Sequence, residues 1–62
     1  MKDIDEIAWD YVEGCIRAFL RGKKTLNWIL AIIRGSDKQR LQNIINSLDG
    51  DPIRRIELLR RI

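Results

Sequence analysis

The chain has 62 residues, with 12 Lys or Arg, 9 Asp or Glu and no His, and its formal net charge is +3. Because it lacks an imidazole and has Cys15 as its single cysteine, the composition argues against acid–base catalysis, zinc sites and disulfide frameworks. We expect one domain over residues 1–62, which buries only about 60% of its unfolded surface. We also expect a non-catalytic protein with no cofactor, no metal and no small-molecule substrate.

The sequence favours a cytoplasmic location without membrane contact. The first twenty residues carry five acidic side chains, which is unlike a secretory leader. The longest apolar run, from Trp28 to Ile33, is far shorter than the roughly 20 residues that span a bilayer. A lone cysteine is typical of a reducing compartment, and we expect Cys15 to be buried and inert.

Charge is unevenly distributed along the chain. Residues 1–13 carry a net charge of −4, and the remaining residues carry +7. A basic body suits a polyanionic partner such as nucleic acid. The alternative is an ordinary polar surface, with acidic side chains that stabilise the dipole of the first helix.

The first predicted helix covers about residues 4–21. Asp3 is a suitable N-cap, Glu6 completes a capping-box pattern, and Gly22 is a natural stop. The apolar residues recur at helical spacing and predict a stripe that faces the core; they are Ile4, Ile7, Ala8, Tyr11, Val12, Cys15, Ile16 and Phe19. Trp9, Ala18 and Leu20 widen this stripe to more than half of the circumference.

The second predicted helix covers about residues 26–34, between Thr25 as N-cap and Gly35 as stop. It is apolar almost all round, with Asn27 and Arg34 as its obvious polar positions. A helix of this kind lies at the centre of a fold or is covered by a partner.

The third predicted helix covers about residues 37–48 and follows a capping-box pattern from Ser36 to Gln39. Its apolar stripe is narrow and consists of Leu41, Ile44, Ile45 and Leu48. The remaining positions are basic, amide or hydroxyl side chains. Asn is a poor residue for a helix interior, so the amide-rich surface suggests a function.

The fourth predicted helix covers about residues 52–62. Gly50 is expected to end the third helix, Asp51 to cap the fourth, and Pro52 to occupy its first position. The inward residues are expected to be Ile53, Ile56, Leu58, Leu59 and Ile62. The sequence therefore predicts an all-α fold, a compact bundle of four short helices.

One junction carries a functional pattern. Ala31 lies four residues before Gly35, and Leu30, Leu41 and Ile44 are spaced to dock a second helix. In these positions residues 28–48 resemble the helix-turn-helix family of DNA-binding domains, in which a small residue admits the second helix and a turn glycine is left-handed. The other interpretation is an ordinary αα-hairpin with a glycine stop and a serine cap.

The resemblance implies that helix 37–48 is a recognition helix in the major groove of double-stranded DNA. Amides are suited to adenine edges, and Arg or Lys to guanine or phosphate. The implied DNA-binding residues are Ser36, Lys38, Gln39, Arg40, Gln42, Asn43 and Asn46, with Lys23, Lys24 and Arg34 as backbone contacts. Ser36 is expected to present helix N-terminal N–H groups to a phosphate.

A protein–protein interaction module is the alternative function. The apolar stripes of helices 4–21 and 26–34 are wider than a small monomer buries easily, and large aromatics often anchor interfaces. The predicted interface residues are Trp9, Trp28 and Ile32. The partner would be a second copy in a homodimer, or a larger protein for which this chain is an accessory subunit of a replication or transcription complex or a small inhibitor.

Overall fold

The computed structural model describes residues 3–62, and within them the chain forms four helices and no strand. The helices are α1 (Ile4–Leu20), α2 (Leu26–Ile33), α3 (Lys38–Ser47) and α4 (Pro52–Arg61). The Cα radius of gyration is 11.0 Å, which is the size expected of a compact chain of this length. The predicted all-α bundle is confirmed, and each helix boundary lies within one residue of its predicted position.

Short polar side chains start the helices, as the sequence predicts. Asp3 Oδ1 accepts the Glu6 N–H at 2.8 Å, and Thr25 Oγ1 accepts the Trp28 N–H at 3.1 Å. Asp51 Oδ1 accepts the Ile53 N–H at 2.9 Å and caps α4. These bonds satisfy N–H groups that have no partner inside the helix.

The cap of α3 differs from the prediction. Asp37, and not Ser36, is the N-cap, because its Oδ1 accepts the Gln39 N–H at 3.2 Å. The Ser36 N–H instead donates to the Ile33 carbonyl at 3.0 Å and closes the last turn of α2. Gly35 has a φ of +80°, and this left-handed turn still belongs to the end of α2. The third helix therefore begins one residue later than predicted.

Within residues 3–62, nine buried apolar residues form the core: Cys15, Ile16, Phe19, Leu20, Ile29, Ile33, Leu41, Ile45 and Leu58. The most extensive helix contacts are those of α1 with α2, α1 with α4, and α3 with α4. The second half of α1 therefore lies at the centre of the fold. Cys15 is a free, buried thiol, as predicted.

The first half of α1 departs from the prediction. Ile4, Ile7 and Tyr11 are exposed, by 85%, 57% and 63% respectively, although they were expected to face the core. The apolar surface of α1 covers more than half of its circumference, and one core contacts only part of it. The core-facing line passes through Trp9 and Val12, which pack against the buried cluster.

The inward face of α4 was also predicted wrongly. Leu58 is fully buried, but Ile53 and Ile56 are 72% and 51% exposed. Leu59 and Ile62 are half-buried and pack against the core. The helix is rotated so that two arginines, Arg54 and Arg55, face the other helices.

Arg54 and Arg55 explain this rotation, because each donates to backbone carbonyls near the ends of other helices. Arg54 Nη1 lies 3.0 Å from the carbonyls of both Phe19 and Lys24, and its guanidinium lies 4.7 Å from the centroid of the Phe19 ring. Arg55 Nη2 donates to the Leu48 carbonyl just beyond α3. Helix α4 thus joins the ends of α1 and α3.

Gly50 brings the loop before α4 against the end of α1. The Asp51 N–H donates to the Leu20 carbonyl at 2.9 Å, and a Cβ at Gly50 would lie 2.5 Å from the Leu20 Cβ. The sequence predicts Gly50 as the stop of α3, but α3 ends at Ser47. The glycine is required for close packing and not as a helix stop.

Candidate functional site

The outward surface of α3 carries a row of amides. Gln39, Asn43 and Asn46 are exposed and lie on the side of α3 away from the buried Leu41 and Ile45. Their spacing of four and three residues places them on one surface line. We call these three residues the amide face.

Two members of the amide face are ordered by a mutual contact. Gln39 Nε2 donates to Asn43 Oδ1 at 3.2 Å, one helical turn away. Within residues 3–62 the pair makes this one side-chain hydrogen bond, so Gln39 Oε1 and the Asn43 amide hydrogens remain available for further hydrogen bonds. The surface therefore offers both acceptors and donors to a ligand. Gln42 is half-buried at the edge of this surface.

Cations flank the amide face on both sides. Adjacent residues of a helix differ by about 100° around its axis, so Lys38 and Arg40 lie on opposite sides of Gln39. Both are exposed. The Arg40 guanidinium lies 4.4 Å from the centroid of the Trp9 ring, a cation–π contact that connects α3 to α1. Arg40 thus has a packing role as well as an exposed charge.

A basic cleft lies between the α2–α3 turn and the end of α4. It has a volume of about 430 Å³ and an apolar floor that includes Leu30, Ile33 and Leu41. Arg34, Lys38 and Arg61 contribute three cations to its lining, and Ser36 also lies there. The structure therefore brings three predicted site residues from the α2–α3 junction, Arg34, Ser36 and Lys38, together with Arg61 near the C-terminus of α4.

The other basic candidates lie apart from this cleft. Lys23 and Lys24 are exposed in the loop between α1 and α2. Lys24 Nζ lies 5.1 Å from the centroid of the Trp28 ring. Arg54 and Arg55, which donate to backbone carbonyls, are structural residues and not surface cations.

The α2–α3 hairpin matches the helix-turn-helix pattern only in part. Gly35 is left-handed and Leu41 is buried, as the pattern requires. Ala31 is exposed, so its predicted role as the small residue beneath α3 is wrong. Helix α3 packs mainly against α4, and the buried side of α2 is formed by Ile29 and Ile33.

The predicted phosphate site at Ser36 is also not formed as expected. The carboxylate of Asp37 already accepts an N–H group in the first turn of α3, and the Ser36 N–H is bonded to Ile33. A phosphate at this helix end would meet a negative charge. The capping ability of Asp37 was the signal in the sequence that would have shown this, since Asp caps helices as well as Ser does.

The predicted protein-interface residues are less exposed than their neighbours. Trp9, Trp28 and Ile32 are half-buried and pack against the core. The exposed large apolar side chains are instead Ile4, Ile7 and Tyr11 of α1 and Ile53 and Ile56 of α4. Hydrophobicity alone does not show which part of a wide apolar stripe faces the core.

Within residues 3–62, no three or more His, Cys, Asp or Glu side chains are grouped so as to hold a metal ion. In the same residues, none of the helices combines the length and hydropathy of a membrane span.

Compared with protein-family models, curated proteins and solved structures, the chain matches none of them. The functional interpretation therefore depends on the side chains described above.

Proposed function

We propose that the protein binds double-stranded DNA and that α3 enters the major groove. The observation that supports this most directly is the exposed amide face, flanked by Lys38 and Arg40. Helix α3 carries no acidic residue. The major groove of B-DNA is about 12 Å wide and admits one α-helix.

Each part of this surface has a matching feature on DNA. Asn and Gln side chains make bidentate contacts with the N6 and N7 atoms of adenine, so the amide face would favour A·T pairs. Lys38 and Arg40 lie on opposite sides of α3 and would approach the phosphates of the two groove walls. Arg34 and Arg61, which line the basic cleft beside Lys38, would extend the contact with one strand.

The experiment is a selection of preferred duplexes followed by affinity measurements with Asn43→Ala plus Asn46→Ala. Both side chains are exposed, so the variant should fold. We expect it to lose most of its preference for the selected site, since a bidentate base contact discriminates by about 1–3 kcal/mol. Asn27→Ala, the same change at an exposed position of α2, is the matched control.

Two outcomes contradict this assignment. One is a double variant that keeps the full preference for the selected site. The other is an Asn27→Ala control that loses as much preference for the selected site as the double variant does. That result would place the base-contacting surface away from α3.

The exposed apolar residues of α1 favour a second function, a protein–protein interaction module. Ile4, Ile7 and Tyr11 form a contiguous apolar line on one side of the helix, and such patches often mark interaction sites. An accessory subunit or an inhibitor would use this line against its target. Capture of one defined partner that is lost with Tyr11→Ser and retained with Asn43→Ala would favour this function.

A further inference from the structure

One side of α1 has the pattern of a coiled-coil seam. Ile4, Ile7, Tyr11, Gly14 and Ala18 are separated alternately by three and four residues, which is the spacing of a and d positions in a heptad. We call these five residues the α1 seam. Ile4, Ile7, Tyr11 and Gly14 are exposed, and Ala18 is half-buried. The seam is therefore open to a second helix.

The two halves of the seam differ in side-chain size. Ile4, Ile7 and Tyr11 are large, whereas Gly14 and Ala18 are small. Within residues 3–62, a Cβ at Gly14 would meet no heavy atom within 4 Å, so the packing of the single chain does not require a glycine there. An antiparallel second copy would place its Tyr11 over Gly14 and its Ile7 near Ala18, and large side chains would fill the space beside small ones.

Charge also changes sign from the first half of α1 to its C-terminal end and the loop that follows. Residues 3–13 contain five acidic side chains and no cation, whereas residues 17–24 contain four cations and no acid; of these cations Arg17 lies in α1, and Arg21, Lys23 and Lys24 follow it. Antiparallel packing sets the acidic first half of α1 in each copy beside the basic C-terminal end of α1 and its following loop in the other. Parallel packing would set like charges together, which is unfavourable.

We propose that two copies of the protein associate through the α1 seam in an antiparallel, two-fold symmetric dimer. The seam is self-complementary in both size and charge, which is the requirement for an isologous interface. Trp9 is two residues from both Ile7 and Tyr11, which places it about 200° around the helix axis from each of them. The Trp9 side of α1, against which Arg40 of α3 stacks, therefore remains free of the dimer interface.

Tyr11 is suited to an apolar interface near neutral pH. The pKa of Tyr11 is raised above its ordinary value of 10.0, mainly because its side chain hydrogen-bonds with Cys15, one turn further along α1. A tyrosine phenol is uncharged near neutral pH, and the ring of Tyr11 can pack against Gly14 of the second copy.

The test is sedimentation equilibrium of the full chain over protein concentrations from about 1 to 500 µM, a range in which mass action resolves a weak dimer. We expect a monomer–dimer equilibrium. Ile7→Ser plus Tyr11→Ser should raise the dissociation constant about tenfold or more, as truncation of central interface residues does. Ile53→Ser plus Ile56→Ser is the matched control, because these two large apolar residues are similarly exposed on α4, and it should leave the constant unchanged.

Gly14→Ala separates dimerisation from folding. Alanine favours the helix more than glycine does, so this variant should be a better-folded monomer by circular dichroism but a several-fold weaker dimer. Dimerisation should also weaken as salt rises, since opposite charges face each other in the antiparallel arrangement.

Three results would overturn the proposal. The first is a wild-type protein that remains monomeric over the whole concentration range. The second is a dimer that the α4 variant disrupts and the α1 variant does not. The third is a dimer that strengthens with salt, which would indicate like charges in contact and hence parallel helices. None of these measurements involves DNA, so the outcome is independent of the proposed DNA binding.

Discussion

At the scale of single residues, two glycines have opposite surroundings and should respond oppositely to the same change. Gly14→Ala should raise the free energy of unfolding by up to about 1 kcal/mol, because alanine favours a helix interior more than glycine does. The added Cβ would lie in open space. Gly50→Ala should lower it by about 1–3 kcal/mol, since the new Cβ would overlap Leu20. Urea denaturation at low protein concentration measures both changes, and equal effects of the same sign would refute the packing described for Gly50.

Asp37 gives a second prediction at this scale. Its carboxylate caps α3 beside the surface proposed to meet DNA, where its charge repels phosphates. Asp37→Asn should bind DNA several-fold more tightly with unchanged stability, because Asn caps helices as well as Asp does. Fluorescence anisotropy and thermal unfolding of the same samples measure the two effects. Weaker DNA binding by a fully folded variant would place the contact surface away from the α3 N-terminus.

At the scale of elements, α4 is held by polar contacts at its N-terminal turns. Arg54 donates to two backbone carbonyls and covers the Phe19 ring. Arg54→Met keeps an apolar contact and removes the donors, so it should lower the free energy of unfolding by about 1–3 kcal/mol. Arg60→Met, at an exposed position of the same helix, should change it by less than about 0.5 kcal/mol. Denaturant titration compares them, and equal losses would show that Arg54 has no special role.

The elements also show which features local sequence determines. Helix limits follow from caps and glycines close to them in the chain, such as Thr25 and Gly35, and the sequence predicts these limits to within one residue. The orientation of α4 is not predictable in this way, because it depends on carbonyls about 30 positions away in sequence. The spacing of the isoleucines therefore predicts the wrong inward face for α4, since Ile53 and Ile56 are exposed.

In the candidate site too, some features follow from the local sequence and others depend on contacts between distant residues. The amide face is visible in the sequence, because a helix with one narrow apolar stripe exposes all other positions. The basic cleft is not, since Arg61 joins Arg34 and Lys38 only through the packing of α4 against α3. The sequence predicts the wide apolar stripe of α1, but which part of it stays exposed depends on the positions of α2 and α4.

At the scale of the whole molecule, the structure separates two surfaces. The amide face and its flanking cations lie on α3, and the α1 seam lies on the side of α1 opposite Trp9. A dimer formed through the seam would leave both amide faces exposed. DNA binding and self-association are therefore compatible, and each is tested by changes that leave the other surface intact.

The most direct test of DNA binding is fluorescence anisotropy with a random duplex at two salt concentrations. The proposed surface carries four cations: Lys38 and Arg40 flank the amide face, and Arg34 and Arg61 line the basic cleft beside Lys38. Four phosphate contacts predict that affinity falls roughly a hundredfold between about 50 and 200 mM salt, because bound counterions are released. Binding at the lower salt with this steep loss would support the proposed interface. Absence of binding at the lower salt would contradict it.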